Sequence, residues 1–270
     1  MAACVGALAL VGLPAAAASV TVGQLAPGVI TSCSKNFDFL QHSTPDGSYT
    51  LPAGVITSWT HRSQVGTGQM VSLKIFRKIG EPARYQLVAH EGPHPVLANT
   101  VTTFPASIVV QAGDVLGLTG EGGTVSIGCS FTGPGDIGGH TPSLADGGFA
   151  DFAIGSANNR LNVSAVVNPS NTFVLGAVTR HKKKGTASLA LNLPNPGELT
   201  VSGNGVKTAG VAATSGAVSG GATSLLIKAT GKKRKTLNAT GKVKVGLAIT
   251  YTPTGGDPSS QSVKVKLKKK

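Results

Sequence analysis

The sequence predicts an all-β protein built from two successive sandwiches. Three observations carry this reading. The chain holds 37 glycines in 270 residues, with 4% aromatic and 13% charged residues, where ordinary chains carry about 7% glycine and about 25% charged residues. Apolar and polar residues alternate with a period of two in many short runs bounded by Gly, Pro and Asn. No 3.6-residue period interrupts these runs in the first half of the chain. A hydrophobic content of 40% is enough to fill a core, which disfavours disorder.

The elements follow in chain order. An apolar segment from Ala3 to Leu13 precedes Pro14 and a run of alanines, with Ala16 and Ala18 in small-x-small spacing. This predicts a secretory signal peptide over residues 1–18 cut before Ser19, although no Lys or Arg precedes the apolar run. A buried N-terminal helix is the alternative. No later run approaches about 20 apolar residues, so the mature chain is expected to contain no transmembrane segment. Export leaves two of the three cysteines, Cys33 and Cys129, and an oxidising compartment favours a disulfide between them. Cys129 falls in the alternation Val125, Ile127, Cys129, Phe131 and is expected to face inward. Two separate buried thiols are the alternative.

Residues 19–168 are read as a jelly-roll-like sandwich. Val71, Leu73 and Ile75, then Tyr85, Leu87 and Ala89, alternate on either side of a turn at residues 80–83, the pattern of a β-hairpin. Ile108-Val109-Val110 and Val115–Leu118 flank a second turn at residues 111–114. Leu161, Val163, Ala165 and Val167 form a last strand before the turn-rich Asn168-Pro169-Ser170-Asn171. Residues 169–270 are read as an immunoglobulin-like sandwich of about seven strands. Their alternations run through Ala187–Leu193, Leu199–Val201, Leu225–Ala229, Val243–Tyr251 and Val263–Leu267.

Charge divides at the same boundary. Residues 19–168 carry seven basic and nine acidic side chains, net −2; residues 169–270 carry seventeen basic and two acidic, net +15. The sequence isoelectric point of about 9.9 is therefore a property of the second half. The closing stretch GKVKVGLAITYTPTGGDPSSQSVKVKLKKK (residues 241–270) is similar to the last hairpin of lysine-rich immunoglobulin-like domains of secreted bacterial proteins. The run FPASIVVQAGDVLGL (residues 104–118) resembles exported β-rich modules found beside them. The chain as a whole thus resembles secreted bacterial two-domain β-sandwich proteins of uncharacterised activity. That resemblance implies a cell-surface or extracellular module and transfers no catalytic residue.

Lys242 and Lys244, and Lys264, Lys266 and Lys268, share outward parity opposite Val243, Val245, Val263, Val265 and Leu267. If these strands pair, the five lysines form one basic face. It serves either as a solvated, aggregation-resistant edge or as a surface for anionic cell-wall polymers or polysaccharide. The clusters Arg180–Lys184 and Lys232–Lys235 are expected to add loop charge. Specific nucleic-acid binding is disfavoured, because no aromatics interleave with the lysines for base stacking.

Other candidates are weaker. His61, His90, His94 and His140 lack metal-ligand spacing, and no cofactor is expected. Asp136, Asp146 and Asp151 lie in a Gly-rich stretch that could bind calcium or simply favour turns. Convergence of Asp136, Asp146 or Asp151 with a histidine in one cleft would favour a secreted hydrolase. Trp59 is read as core. Its exposure beside Tyr49 or Tyr85 would instead favour a carbohydrate-binding or adhesin module. Asn162 and Asn238 match glycosylation acceptors, a motif frequent by chance. The leading expectation is a non-catalytic exported interaction or structural module.

Overall fold

This computed structural model describes residues 18–123, 127–210 and 215–270. All of the expected signal peptide except Ala18, and Val125 of the run around Cys129, lie outside the described residues.

The chain is all-β with antiparallel sheets. Up to Pro169 it forms β1 (Val20–Gln24), β2 (Thr31–Cys33), β3 (Phe37–Ser43), β4 (Gly54–Arg62), β5 (Gln69–Gly80), β6 (Arg84–Pro95), β7 (Val101–Val110), β8 (Val115–Gly122), β9 (Ile127–Pro142), β10 (Phe149–Asp151), β11 (Ala153–Leu161) and β12 (Val163–Pro169). One sheet has the order β1-β12-β4-β7. The other has the order β10-β6-β5-β8-β3-β9-β11, with β2 added on β9. The alternation read from sequence supplies the core between them. Ile56, Trp59, Val163, Ala165 and Val167 come from the first sheet, and Leu73, Ile75, Leu116, Leu118 and Cys129 from the second. The expected hairpin is β5–β6, pairing Ile75 with Ala89 and Lys78 with Tyr85. The turn at residues 111–114 is also present, but it carries the chain from one sheet to the other, so the strands it joins do not pair. Asp114 fixes that crossing. Its carboxylate accepts the Gln111 amide at 2.8 Å and the Arg77 guanidinium at 2.7 and 2.9 Å.

Cys33 and Cys129 are disulfide-bonded, with Cα atoms 5.6 Å apart and a sequence separation of 96. The bond lies in the core and ties β2, only three residues long, to the sheet through β9.

The remainder forms β13 (Val174–His181), β14 (Thr186–Leu193), β15 (Gly197–Ser202), β16 (Val206–Gly210), β17 (Ser215–Val218), β18 (Gly221–Ala229), α1 (Gly231–Thr240), β19 (Lys242–Pro253) and β20 (Ser259–Lys268). The sheet orders are β13-β14-β18-β16 and β17-β15-β19-β20. A separate core of Leu189, Leu191, Leu199, Leu225, Ile227, Ile249 and Val265, among others, fills the space between them. One sequence expectation is corrected here: Lys232–Lys235 lie on a helix, not in a loop. Thr230 enters α1 in an extended conformation. Gly241 ends it at φ 68°, with its amide on the Leu237 carbonyl, the left-handed closure that glycine favours. Leu237 is the one buried residue of α1, so the helix leaves no amphipathic stripe in the sequence.

The two sets of sheets meet at Asn195, which is 2% exposed. Its Oδ1 accepts the Ala53 amide at 2.7 Å. Its Nδ2 donates to the carbonyls of Ala53 at 2.9 Å and Ser170 at 3.1 Å. Behind it, the Tyr251 hydroxyl donates to the Asn195 carbonyl at 2.6 Å. The connecting residues are also held: the Ser170 amide donates to Ala53, Asn171 Nδ2 donates to the Asp257 carbonyl, and Phe173 is buried against Tyr251.

Replacing Asn195 with Ala removes three hydrogen bonds and leaves the part-buried Ala53 amide without its partner, while the Ala53 carbonyl keeps the Ser170 amide. The expected loss is about 2–4 kcal/mol, with faster proteolysis at residues 170–172 and a melting transition split in two. Calorimetry and limited digestion measure both. Replacing Cys33 and Cys129 together with Ala releases a long loop in the unfolded chain. It is expected to cost roughly 4–5 kcal/mol in the chain-entropy treatment, read as a lower denaturant midpoint with a steeper slope, because the released unfolded chain exposes more surface.

Candidate functional site

The last two strands pair in antiparallel register, with Lys242 opposite Lys268, Lys244 opposite Lys266, and Gly246 opposite Lys264. All five lysines are exposed, while Val243, Val245, Val265 and Leu267 are buried. The reason is the pleat. Inward valines and a leucine fill the core, and the intervening positions must then face water, because a shift of one residue would exchange the two sets. Along each strand the lysines recur about every 7 Å. Two cationic pairs stand directly across the ladder, an arrangement that costs stability unless solvent or an anion intervenes. β20 is an edge strand, so the face is open on one side. Arg180 reaches across from the other sheet, its Nε donating to the Lys266 carbonyl at 3.0 Å.

More charge gathers at the end of the same sandwich. The Lys270 amide donates to the Lys182 carbonyl, and the Lys269 amide to Gly241. This brings the C-terminal lysines beside the Lys182–Lys184 turn and the end of α1. Among the described residues, every ion pair lies between residues 38 and 160, so the lysines of the second half have no acidic partners.

The acidic candidates of the first half are placed apart. Asp136 is fully buried and held by Arg160, whose Nη2 lies 3.0 Å from Oδ1 and whose Nε also donates to the carboxylate. Asp146 accepts His90 Nδ1 at 2.6 Å, and Asp151 faces Arg84 at 3.3 Å. No group of three or more His, Cys, Asp or Glu side chains that could hold a metal occurs among the described residues. His94 donates to Glu91 at 2.5 Å, and Glu91 also accepts the Trp59 indole N–H at 2.5 Å. Trp59 is fully buried against Phe104, and Tyr49 and Tyr85 are 1% and 2% exposed. The three rings that an adhesin surface would use therefore belong to the interior. His140 stacks on Phe39. Asn162 is buried, donating to the carbonyls of Arg62 and Gly128 and accepting the Ala26 amide. Asn238 lies exposed on α1, accepting Lys269 Nζ at 2.8 Å.

His61 is fully buried, with Nδ1 on the Asn162 carbonyl at 2.9 Å and no partner for Nε2. Burial pushes its imidazole down to about 4, outweighing the hydrogen bond to Asn162. Among the described residues no charged group offsets that desolvation, and nothing in the local sequence marks this histidine as sealed in.

No helix among the described residues is long and apolar enough to cross a membrane. Neither a protein-family model nor a curated protein matches the chain.

The His61 environment makes a pH prediction. Above about pH 6.5 the imidazole is neutral in both folded and unfolded chains and contributes nothing. Below that, the unfolded chain takes up a proton that the folded chain refuses until about pH 4. The His61 contribution is therefore expected to lower stability by roughly 3 kcal/mol across this window and to level off below it. Urea titrations from pH 7 to 4 measure the slope, and His61→Gln is expected to remove that contribution.

Proposed function

We propose that the chain is a non-catalytic exported protein, secreted or held at the cell surface, whose basic second half binds anionic envelope polymers. In this reading residues 1–18 are a signal peptide. Residues 19–168 are a jelly-roll-like interaction or structural module. Residues 169–270 are an immunoglobulin-like domain carrying the binding surface. The observation that carries it is the facing of Lys244 with Lys266 and of Lys242 with Lys268 on an open edge without acidic partners. Such a surface attracts flexible polyanions through charge rather than through shape.

The immunoglobulin-like assignment is supported by strand order. With β13 and β14 as the first two strands, the sheet β13-β14-β18-β16 follows the A-B-E-D arrangement. The sheet containing β15, β19 and β20 follows C-F-G. β16 and β17 occur in the opposite chain order to that expected of a D strand and an added C′ strand. For the first half, two antiparallel sheets sharing one core support a sandwich. Its twelve strands exceed the eight of a simple jelly roll. The disulfide supports export, because such bonds persist in oxidising compartments.

The test replaces Lys244, Lys264 and Lys266 with Gln and measures retention on isolated cell envelopes. The parent is expected to bind at low salt and release steeply as ionic strength passes about 0.1 M, where the screening length is about 10 Å. The variant is expected to bind weakly throughout. Equal retention of the two proteins, with the same salt dependence, would rule out this face as the anchor.

A further inference from the structure

A second basic feature lies away from the paired lysine strands. β14, β18 and β16 are consecutive in their sheet, and their register sets Thr186 opposite Lys228 and Lys228 opposite Lys207. Directly opposite residues project from the same face, so a hydroxyl and two ammonium groups stand in one row. Where this row meets α1, a cleft of about 460 Å³ is lined by Lys184, Thr186, Lys207, Lys228, Arg234 and Lys269, among others. No carboxylate lines it among the described residues. Among the described residues, Lys269 is the one of these cations with a side-chain partner, Asn238.

Two independent observations indicate that the cleft is built for an anion. The first is Thr186. It is 8% exposed, and its Oγ1 is fully enclosed with no hydrogen-bond partner. A buried hydroxyl without a partner is costly, and this one belongs to a residue that lines the cleft. The second is the start of α1. Thr230, which also lines the cleft, makes no side-chain capping bond, and the first turn contains no acidic residue. It carries Lys232, Lys233 and Arg234 instead, at the end where the helix already has a partial positive charge, and of these three Arg234 lines the cleft. The arrangement is held from behind: the Thr230 amide donates to the Gly205 carbonyl at 2.8 Å, and the Arg234 amide to the Thr230 carbonyl at 3.1 Å.

We propose that this cleft binds a single phosphate group, with Thr186, Lys228, Lys207 and Arg234 as its ligands. The donors decide between anions. A guanidinium fork, the ammonium groups of two directly opposite lysines and a hydroxyl outnumber what the two oxygens of a carboxylate accept, and they suit a tetrahedral oxyanion. The cleft uses none of the five lysines of the paired strands, so it stands or falls separately from the polymer-binding face. Where both operate, the strands hold a polyanion loosely and the cleft selects phosphate as its charged group.

The probe is inorganic phosphate, titrated into the full chain at low ionic strength and constant chloride. It is followed by amide chemical shifts and by calorimetry. One saturable site is expected, with shifts centred on Thr186, Lys228 and the first turn of α1. Thr186→Val is the critical variant. It exchanges an unpartnered buried hydroxyl for a methyl group, so the melting temperature is expected to stay level or rise, while phosphate affinity falls about ten-fold. Arg234→Gln is expected to weaken binding by at least as much. The triple Gln variant of Lys244, Lys264 and Lys266 is expected to bind phosphate as the parent does. Methyl phosphate and dimethyl phosphate distinguish a terminal monoester from a chain diester, and saturable binding of either supports the site. Undiminished affinity in Thr186→Val would overturn it. So would shifts confined to the paired lysine strands, acetate binding as tightly as phosphate, or no saturation at all.

Discussion

Val245 and Val265 face each other across the final ladder, 2% and 1% exposed, in the floor of the second core. That apolar pair holds the charged surface in place. Burying a valine side chain is worth roughly 1.5–3 kcal/mol, and moving a lysine into its place would leave an unpaired ammonium in the core, which is far more costly. The register of β19 on β20 is therefore fixed from beneath. The position of each outward lysine follows from it, including the like-charged pairs that would drive the strands apart if considered alone.

The two halves handle charge in opposite ways. The first buries carboxylates and matches them: Asp114 with the Arg77 fork, Asp136 with the Arg160 fork, and Asp38 with Thr119, Ser143 and, at 4.0 Å, Lys74. These groups serve the fold. Asp114 closes the crossing between sheets, and Arg160 also reaches Gln24 on the edge strand β1 at 2.7 Å. The second half buries almost no charge and leaves its cations in water, where they remain free to meet a partner. Of the acidic residues that read as candidate ligands in the sequence, Asp136 is thus structural, whereas Asp146 and Asp151 are exposed partners of His90 and Arg84.

How far the sequence revealed this depended on the range of the interaction. The all-β class, the β5–β6 hairpin, the inward Cys129 and the lysine parity were legible because period-two alternation is local. The helix α1 was not, since only Leu237 is buried and its signals were a Thr before it and a Gly after it. The facing of Lys207 and Lys228 was also invisible, because it depends on β16 pairing with β18 across intervening chain. Asn195 sits in the turn-forming stretch Asn195-Pro196-Gly197. Nothing local shows that its amide meets Ala53, 142 positions away.

That amide has a mechanical consequence. If the basic strands are held by a polymer and the first half by something else, tension between the two attachments follows the stiffest connected route. From β19 it passes through the Tyr251 hydroxyl to the Asn195 backbone. From there it runs through the side-chain amide to Ala53, at the entrance to β4, an interior strand of its sheet. The covalent connection at residues 170–172 runs parallel to this route and, while the amide holds, carries only part of the load. The joint would then act as a rigid coupling that yields abruptly when the amide lets go, rather than as a tether that stretches.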